Sequence, residues 1–129
     1  MAKKNDQPLI LLVDDEPNIL LALEFLLQRE SYRVEKAFNG IEAVEKAGAL
    51  RPDIIVLDVM MPGMDGYEAA KKIRQNPALE DTCIVFLTAK GTGEDKQRGY
   101  KTGGEYYLVK PFDNDTFVYT IREILEFGR

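Results

Sequence analysis

The feature that most constrains the fold is an uninterrupted apolar segment, Ile54–Leu57, that ends directly on an acid, Asp58. Such a segment, rich in β-branched residues, is typical of a strand buried on both faces, as in a parallel sheet. Asp65 and Glu68 then predict an N-cap and capping box for a following helix. A carboxylate is therefore predicted at the carboxyl end of a central strand, where open α/β sheets bind ligands. Taken alone, Asp58 could equally be a strand-end residue that caps local backbone N–H groups.

Four further segments read as strands, and they alternate with helices. The other predicted strands are Leu9–Val13, Tyr32–Phe38, Thr82–Leu87 and Glu105–Val109. The predicted helices are Pro17–Glu30, Asn39–Leu50, Gly66–Gln75, about Glu94–Lys101, and a C-terminal helix capped by Asp113. Alternation of this kind implies a parallel sheet covered on both faces. We therefore predict an α/β fold, a doubly wound five-stranded parallel sheet in the order 2-1-3-4-5 flanked by five helices.

Composition narrows the function. The 129 residues, 45% hydrophobic and 30% charged, suit a single domain over residues 1–129, with residues 1–7 as a disordered tail. A net charge of -5 argues against direct binding of nucleic acid. The absence of histidine removes the usual general base and most zinc sites. Because no segment is apolar enough to be a signal core or a membrane span, we expect a cytoplasmic protein with no membrane partner.

Polar residues that could carry chemistry follow several of the predicted strands. Asp14 and Asp15 end the first strand, Asp58 the third, Thr88 the fourth and Lys110 the fifth. Strands one and three flank the point where the predicted strand order reverses, so the three carboxylates should meet there. Like charges raise one another's pKa, and a hard divalent cation such as Mg²⁺ would relieve the cluster. Taken singly, the acids could be helix caps, the threonine a strand-end residue and the lysine a solvated one.

With no histidine or evident thiolate, the remaining candidate nucleophile is a carboxylate, and its attack on phosphorus would give an aspartyl phosphate. Asp58 is best placed for that role, because it is central and a loop follows it. Lys110 suits a phosphate as a point charge, and Thr88 offers a hydroxyl donor. The joint occurrence of these residues at successive strand ends favours one shared site.

The chain resembles the response-regulator receiver domain of bacterial two-component signalling over nearly its whole length. The residues that carry the resemblance are Asp14-Asp15, Asp58 within Leu57–Gly66, Leu87-Thr88-Ala89 and Tyr107–Phe112. The resemblance implies a flavodoxin-like signalling switch in which Asp58 takes a phosphoryl group from a histidine kinase or a histidine phosphotransfer protein. It also implies that Mg²⁺, or Mn²⁺ as a substitute, is held by Asp15, Asp58 and the backbone carbonyl of Met60, with Asp14 acting mainly through a coordinated water.

The same resemblance implies roles for the later strand ends. Thr88, the backbone N–H of Ala89 and Lys110 would contact the phosphoryl group. Tyr107 would swing inward when Thr88 moves, and the peptide bond before Pro111 would be cis. A downstream protein target would bind the face formed by the predicted helix 94–101, the last strand and the C-terminal helix, and the protein would be a monomer or a weak dimer. The sequence departs from the family at positions 104 and 106, where glycine and tyrosine stand in place of the frequent alanine and acid.

The resemblance implies a module that helps to catalyse its own phosphorylation and dephosphorylation, and no separate enzymatic substrate. One alternative is an aspartyl-phosphate phosphatase of haloacid-dehalogenase type, whose nucleophile follows strand one in an Asp-x-Asp arrangement. Here Asp14-Asp15-Glu16-Pro17 stands at that place and no cap insertion is evident, which disfavours this alternative. Another is a receiver within a longer regulator that has a DNA-binding output. The sequence does not separate this alternative from a free-standing regulator.

The first predicted helix presents a second surface feature. Its predicted buried stripe consists of Ile19, Ala22, Leu23, Leu26 and Leu27, with Leu20 at the border. At about 100° per residue, Leu21 and Phe25 lie on nearly the opposite side and next to each other. They are either scattered exposed apolar residues, which are ordinary on any protein, or a docking patch for the kinase or phosphotransfer protein or for a second copy.

Overall fold

The computed structural model describes residues 7–89, 101 and 104–127. Within this part of the chain the strands are β1 (Leu9–Val13), β2 (Arg33–Ala37), β3 (Ile54–Asp58), β4 (Cys83–Thr88) and β5 (Tyr106–Val109). The α-helices are α1 (Pro17–Arg29), α2 (Gly40–Leu50), α3 (Gly66–Arg74) and α4 (Asn114–Phe127), and a short 3-10 helix spans Pro77–Leu79. All strand pairs are parallel, in the order β2-β1-β3-β4-β5. The predicted sheet and strand order are confirmed.

Two predictions fall mostly on residues that the structure does not describe. Of the predicted helix 94–101, only Lys101 is among the described residues, where it is helical and exposed. Of the predicted tail 1–7, only Gln7 is described, and its carbonyl accepts a hydrogen bond from Arg33 Nε at 3.1 Å. Within the described part of the chain, no helix combines the length and apolar character that crossing a bilayer requires.

The sheet separates two apolar cores because its central strands are buried on both faces. On one face α2 and α3 pack mainly with alanines, to which α3 adds the larger Tyr67 and Ile73. The buried residues they contribute include Ala43, Ala47, Ala69, Ala70 and Ile73. On the other face α1 and α4 pack with larger side chains, which include Leu20, Leu23, Leu27, Phe117 and Ile121.

Helix caps hold the loops at the carboxyl edge of the sheet. The predicted capping box is present before α3, where the Asp65 side chain accepts the Glu68 N–H at 2.9 Å and the Glu68 side chain accepts the Asp65 N–H at 3.2 Å. Asn39 caps α2 by accepting the Glu42 N–H at 2.8 Å, as predicted. The loops that follow β2 and β3 are therefore anchored at the point where each helix starts.

The predicted buried stripe of α1 needs one correction. Leu20 is almost fully buried, with 1% of its surface exposed, and Ala22 is exposed. The prediction placed Leu20 at the border of the stripe and Ala22 within it, because it centred the stripe one residue too far round the helix. In the structure the stripe is centred near Leu23 and Leu27. Leu21 and Phe25 lie opposite that stripe, as the periodicity predicts, with 63% and 61% exposure.

Candidate functional site

Three carboxylates meet at the carboxyl edge of the sheet. Asp14 directly follows β1 and is fully buried, and Asp58 is the last residue of β3 and 4% exposed. Asp15 is exposed to solvent. Each of the three offers one carboxylate oxygen, and these oxygens all lie within 4.8 Å of one another. The arrangement exists because β1 and β3 are neighbouring parallel strands, whose carboxyl ends lie at the same edge.

Local backbone bonds hold the two buried carboxylates. Asp14 Oδ1 accepts the Glu16 N–H at 2.9 Å, and the Asp14 N–H donates to the Ala37 carbonyl at 3.2 Å. Asp58 Oδ1 faces the Met60 N–H at a longer 3.4 Å. These bonds orient both acids toward the turn that follows their strand, and Asp14 is held more firmly than Asp58.

Lys110 brings a positive charge to the carboxylates from the end of β5. Its Nζ lies 3.5 Å from Asp14 Oδ2 and 3.5 Å from Asp58 Oδ1. Its backbone N–H donates to the Thr88 carbonyl at 2.7 Å, which fixes the start of the loop on β4. Because β4 lies between β3 and β5, the lysine side chain reaches across β4 to arrive at the acids.

The charges in the site are only partly balanced. Burial and, to a smaller extent, the nearby Asp14 charge raise the pKa of Asp58 from 3.8 to about 6, against the lowering effect of Lys110. Burial also raises the pKa of Asp14, against the lowering effects of the Glu16 N–H and of Lys110. Fully ionised, three carboxylates and one ammonium group leave two excess negative charges. The cluster therefore favours an added positive charge.

The donor set fits a hard divalent cation. Mg²⁺ takes oxygen ligands, commonly one or two carboxylates together with water and phosphate oxygens. The three carboxylate oxygens provide such a set, and two positive charges would neutralise the excess. Met60 lies two residues after Asp58, and 59% of its surface is exposed. Its backbone thus belongs to the turn that borders the carboxylates.

The remaining predicted site residues lie at the ends of β4 and β5. Thr88 is the last residue of β4 and 1% exposed, and Ala89 after it is exposed. Asp58 pairs with Leu87, so Thr88 comes one residue beyond the level of Asp58 on the neighbouring strand. The Lys110-Pro111 peptide bond is cis. Leu21 and Phe25 belong to the outer side of α1 and are not part of this cluster.

Two aromatic residues next to the site, Tyr67 and Phe86, were not singled out from the sequence, and both contact the predicted switch residue Tyr107. Tyr107 on β5 is half-buried, and its hydroxyl is hydrogen-bonded to the hydroxyl of Tyr67 on α3. Phe86 on β4 contacts both rings. The two tyrosines are 40 residues apart in sequence, so no local pattern predicts their contact. The one readable signal was an aromatic residue, Phe86, two positions before Thr88 and hence on the same face of β4.

Comparison with known proteins identifies relatives of the whole described domain. The sequence profile of the response regulator receiver domain matches residues 10–122. The chain is 41% identical over 116 residues to the transcriptional regulatory protein ResD of Bacillus subtilis, which covers 90% of this chain and 47% of ResD. The chain thus spans about half the length of that relative.

Solved structures give the same result. The chemotaxis protein CheY4 of Vibrio cholerae superposes with a TM-score of 0.88 at 37% identity, over 92% of this chain and 99% of that one. The receiver domain of the sensor histidine kinase PA1611 from Pseudomonas aeruginosa superposes with a TM-score of 0.83 at 32% identity, over 92% and 97% of the two chains. In that structure a magnesium ion is coordinated in the active site cleft.

Proposed function

Since the chain belongs to the response regulator receiver domain family, we propose that it is a signalling switch in which Asp58 accepts a phosphoryl group. The observation that carries this proposal is the position of Asp58, which is buried within 4.8 Å of two other carboxylates and 3.5 Å from the Lys110 ammonium group. Its hydrogen bond from the Met60 N–H is long, at 3.4 Å, so local capping alone does not account for a buried acid at this position. Its surroundings suit a nucleophile for phosphorus.

In the proposed chemistry a phosphoryl group passes from one nucleophile, a histidine nitrogen, to another, the Asp58 carboxylate. A carboxylate oxygen of Asp58 attacks phosphorus, and a P–O bond forms. The bond from phosphorus to the donor, a histidine nitrogen in the partner protein, breaks, and its electron pair returns to the imidazole. Lys110 balances negative charge on the transferring group, because its Nζ already contacts the acceptor carboxylate.

Asp14, Asp15, Asp58 and the Met60 carbonyl would hold Mg²⁺ or Mn²⁺, with Asp14 acting mainly through water. Bound there, the ion would neutralise charge on the phosphoryl oxygens. Thr88 and the Ala89 N–H would contact the phosphoryl group, and Tyr107 would change position with Thr88. A downstream protein would bind the face that includes β5 and α4, which this change would alter.

The cytoplasmic location of the protein and its monomeric or weakly dimeric state stay predictions.

The test of the acceptor is labelling with acetyl phosphate and Mg²⁺, followed by intact mass and by lability to acid and base. We expect one phosphoryl group on the unaltered chain and none on Asp58→Asn. Asp53→Asn is the matched control, because it removes a carboxylate at the other end of the same strand and should label normally. Labelling retained in Asp58→Asn would place the acceptor elsewhere.

The metal site has its own test, which requires no phosphodonor. Mn²⁺ broadens NMR signals of nearby nuclei, so at low occupancy it should selectively broaden the amide signals of Asp15 and Met60. Asp15→Asn should weaken Mg²⁺ binding, measured by titration, without unfolding an exposed position. Broadening spread evenly over exposed acids would contradict a built site.

We propose Leu21 and Phe25 as part of the surface that contacts the phosphodonor. Both are more than half exposed on α1, the Arg29 guanidinium lies 5.7 Å from the Phe25 ring centroid, and α1 starts three residues after Asp14. Leu21 lies four residues after the first residue of α1, which is next to the proposed site of transfer, and Phe25 lies four residues further along the helix. An apolar helical surface on the donor protein would cover these two side chains.

The test is the double variant Leu21→Glu with Phe25→Lys, which leaves net charge unchanged. Acetyl-phosphate labelling should persist, since neither residue faces the core, and transfer from the cognate donor should slow at least tenfold, about 1.4 kcal/mol. Leu50→Glu, at the far end of α2, is the control. Unchanged transfer in the double variant would mean that Leu21 and Phe25 are ordinary exposed apolar residues.

A receiver that works within a longer transcriptional regulator stays the alternative for the output. It is favoured by the coverage of ResD, of which this chain matches only 47%. The complete genomic reading frame would decide between this arrangement and a free-standing regulator.

A further inference from the structure

Tyr67, Phe86 and Tyr107 form an aromatic cluster beneath the carboxylate site. The Tyr67 ring meets Phe86 edge-on, with centroids 5.1 Å apart and planes at 66°. Phe86 meets Tyr107 at 5.4 Å and 46°. The hydroxyls of the two tyrosines are hydrogen-bonded to each other, and Tyr67 is 4% exposed. The Tyr107 ring is therefore held from two sides, by ring contact and by a buried hydroxyl.

The cluster follows from strand register and from one glycine. Phe86 and Tyr107 are paired residues on β4 and β5, so their side chains stand next to each other on the face that α3 covers. A Cβ on Gly104 would lie 2.0 Å from Phe86 Cε2. The Phe86 ring thus occupies the volume that a side chain at position 104 would need. The glycine that departs from the family pattern is what permits an aromatic ring between the two tyrosines.

We propose that Tyr67 is a positioning residue that holds the Tyr107 ring against the core through the bond between their hydroxyls. In this chain the aromatic residue of the switch would then occupy its inward position before any phosphoryl group arrives. An outward movement of Tyr107 breaks this hydrogen bond and removes its ring from Phe86. The inference rests on the proposed function only in its consequence, since phosphorylation would complete a movement that Tyr67 already favours.

The aromatic cluster is connected to the carboxylate site through neighbouring side chains on one face of β4 and β5. Phe86 and Thr88 lie two residues apart on β4 and so project from the same face. Val109, two residues after Tyr107, pairs with Thr88. The Tyr107 ring and the Thr88 side chain therefore occupy consecutive places on one face, and the space available to one depends on the other. Tyr67 acts on this pair from α3, whose first residue packs against the backbone of Asp58.

The alternative is that Tyr67 is only a core residue, and that the bond from its hydroxyl to Tyr107 has no effect on the position of the Tyr107 ring. Deleting the hydroxyl while keeping the ring separates the two possibilities. Tyr67→Phe preserves ring packing against Phe86 and removes the hydroxyl that bonds to Tyr107. Tyr106→Phe is the matched control, because the neighbouring tyrosine on β5 packs on the opposite face of the sheet.

The first measurement is the orientation of the Tyr107 ring in the unphosphorylated protein, from NMR side-chain couplings and ring contacts with Phe86. In Tyr67→Phe the ratio of inward to outward Tyr107 should fall roughly 3- to 10-fold, the effect of one net hydrogen bond. Tyr106→Phe should leave this ratio unchanged. An unchanged ratio in Tyr67→Phe, with or without a lower free energy of unfolding, would overturn the proposal. Tyr67 would then be a core residue without a positioning role.

The second measurement is the affinity for beryllofluoride, a phosphoryl mimic, in the presence of Mg²⁺. If the inward ring favours the phosphoryl-bound state, Tyr67→Phe should weaken this affinity by up to the same factor. In a Tyr107→Phe background, Tyr67→Phe should add no further change, because the hydroxyl pair is already broken. Additive losses would mean that the two hydroxyls act independently, which contradicts the proposal.

The two proposals fail in different ways. If Asp58 takes up no phosphoryl group but the Tyr107 ratio still shifts in Tyr67→Phe, the proposed function is wrong and the positioning role stands. If labelling is normal and the ratio is unmoved, the positioning role is wrong and the proposed function stands.

Discussion

The two ends of β3 carry the same type of residue in opposite circumstances. Asp53, just before the strand, is exposed, and its carboxylate accepts the Leu9 N–H at 2.8 Å. Its own N–H and carbonyl are bonded to Leu9 and Cys83 on the neighbouring chain segments. Asp58, the last residue of the strand, is buried and faces another carboxylate and a lysine. One acid completes the backbone bonding of the sheet, and the other lies among unbalanced charges.

The difference between Asp53 and Asp58 shows how the surroundings of an acid determine whether it only completes backbone hydrogen bonding or is buried among other charges. At the amino end the Asp53 carboxylate is exposed and accepts a hydrogen bond from a neutral N–H. At the carboxyl end, burial removes the Asp58 carboxylate from water and, with the neighbouring Asp14 charge, raises its pKa to about 6. Strand ends supply both environments, and the neighbouring side chains decide which one an acid experiences.

The largest expected effect is steric and lies at the carboxyl end. A Cβ on Gly66 would lie 2.5 Å from the Asp58 carbonyl oxygen and 2.8 Å from Val59 Cα, so Gly66→Ala must displace the backbone of Asp58 and Val59. We expect the free energy of unfolding in urea to fall by about 3 kcal/mol. Gly63→Ala is the control, because its Cβ would meet nothing within 4 Å and only its φ of 77° is unfavourable. That variant should lose about 1 kcal/mol.

Acetyl-phosphate labelling adds a second readout to this pair of variants. Labelling should slow in Gly66→Ala, which moves Asp58, and stay normal in Gly63→Ala. Equal losses of stability in the two would show that the carboxyl end is not tightly packed, and the contrast between the two ends of β3 would then rest on charge alone.

A smaller effect comes from the buried charge, measured in protein free of metal. The pKa of Asp58 is about 6 when folded and 3.8 ordinarily, so between these values the folded chain binds more protons than the unfolded one. The free energy of unfolding should therefore fall as pH rises from about 4 to about 6, by on the order of 1–3 kcal/mol, and stay low above that range. Asp14, whose pKa is also raised, contributes in the same direction.

Asp58→Asn should flatten this pH dependence and make the protein more stable than the unaltered chain at pH 7. Asp53→Asn, at the amino end of the strand, is the control, and the fall in stability that Asp58 causes should persist in it. A slope that persists unchanged in Asp58→Asn would assign the effect to Asp14 or to acids elsewhere and would weaken the contrast between the two ends of the strand.

The smallest effect concerns the amino end. Asp53→Ala removes the acceptor of the Leu9 N–H and should lower the free energy of unfolding by about 1 kcal/mol, measured by urea denaturation. Asp53→Asn keeps a side-chain oxygen for this N–H and should recover most of the loss. Labelling of Asp58 should be normal in both. A change in labelling would mean that the two ends communicate through β3.

Much of the fold was predictable because the decisive patterns are local. Continuous apolar runs predict buried strands, and the capping box at Asp65 and Glu68 predicts where α3 starts. The stripe of α1 was predicted to within one residue, and the error at Leu20 and Ala22 arose because α1 packs against both the sheet and α4. Periodicity shows that a helix has an apolar side, and its neighbours determine the final rotation.

The candidate site divides in the same way. Parallel strands carry their terminal residues to one edge, so the meeting of Asp14, Asp15 and Asp58 followed from strand order. The burial of Asp14 with Asp15 exposed was not readable, since adjacent residues after a strand differ only in the direction that the turn gives them. Likewise, the reach of Lys110 across β4 depends on a side-chain conformation.

The sequence by itself determined the alternation of elements, the family, and the set of charged residues at the carboxyl edge, because each depends on residue order and on backbone geometry common to all parallel sheets. Only the tertiary structure decided the cluster of Tyr67, Phe86 and Tyr107. Its members come from three elements, and their contact requires the β4–β5 register, the approach of α3 and the missing side chain at Gly104 together. Packing of that kind depends on all neighbours at once, so no single stretch of the chain encodes it.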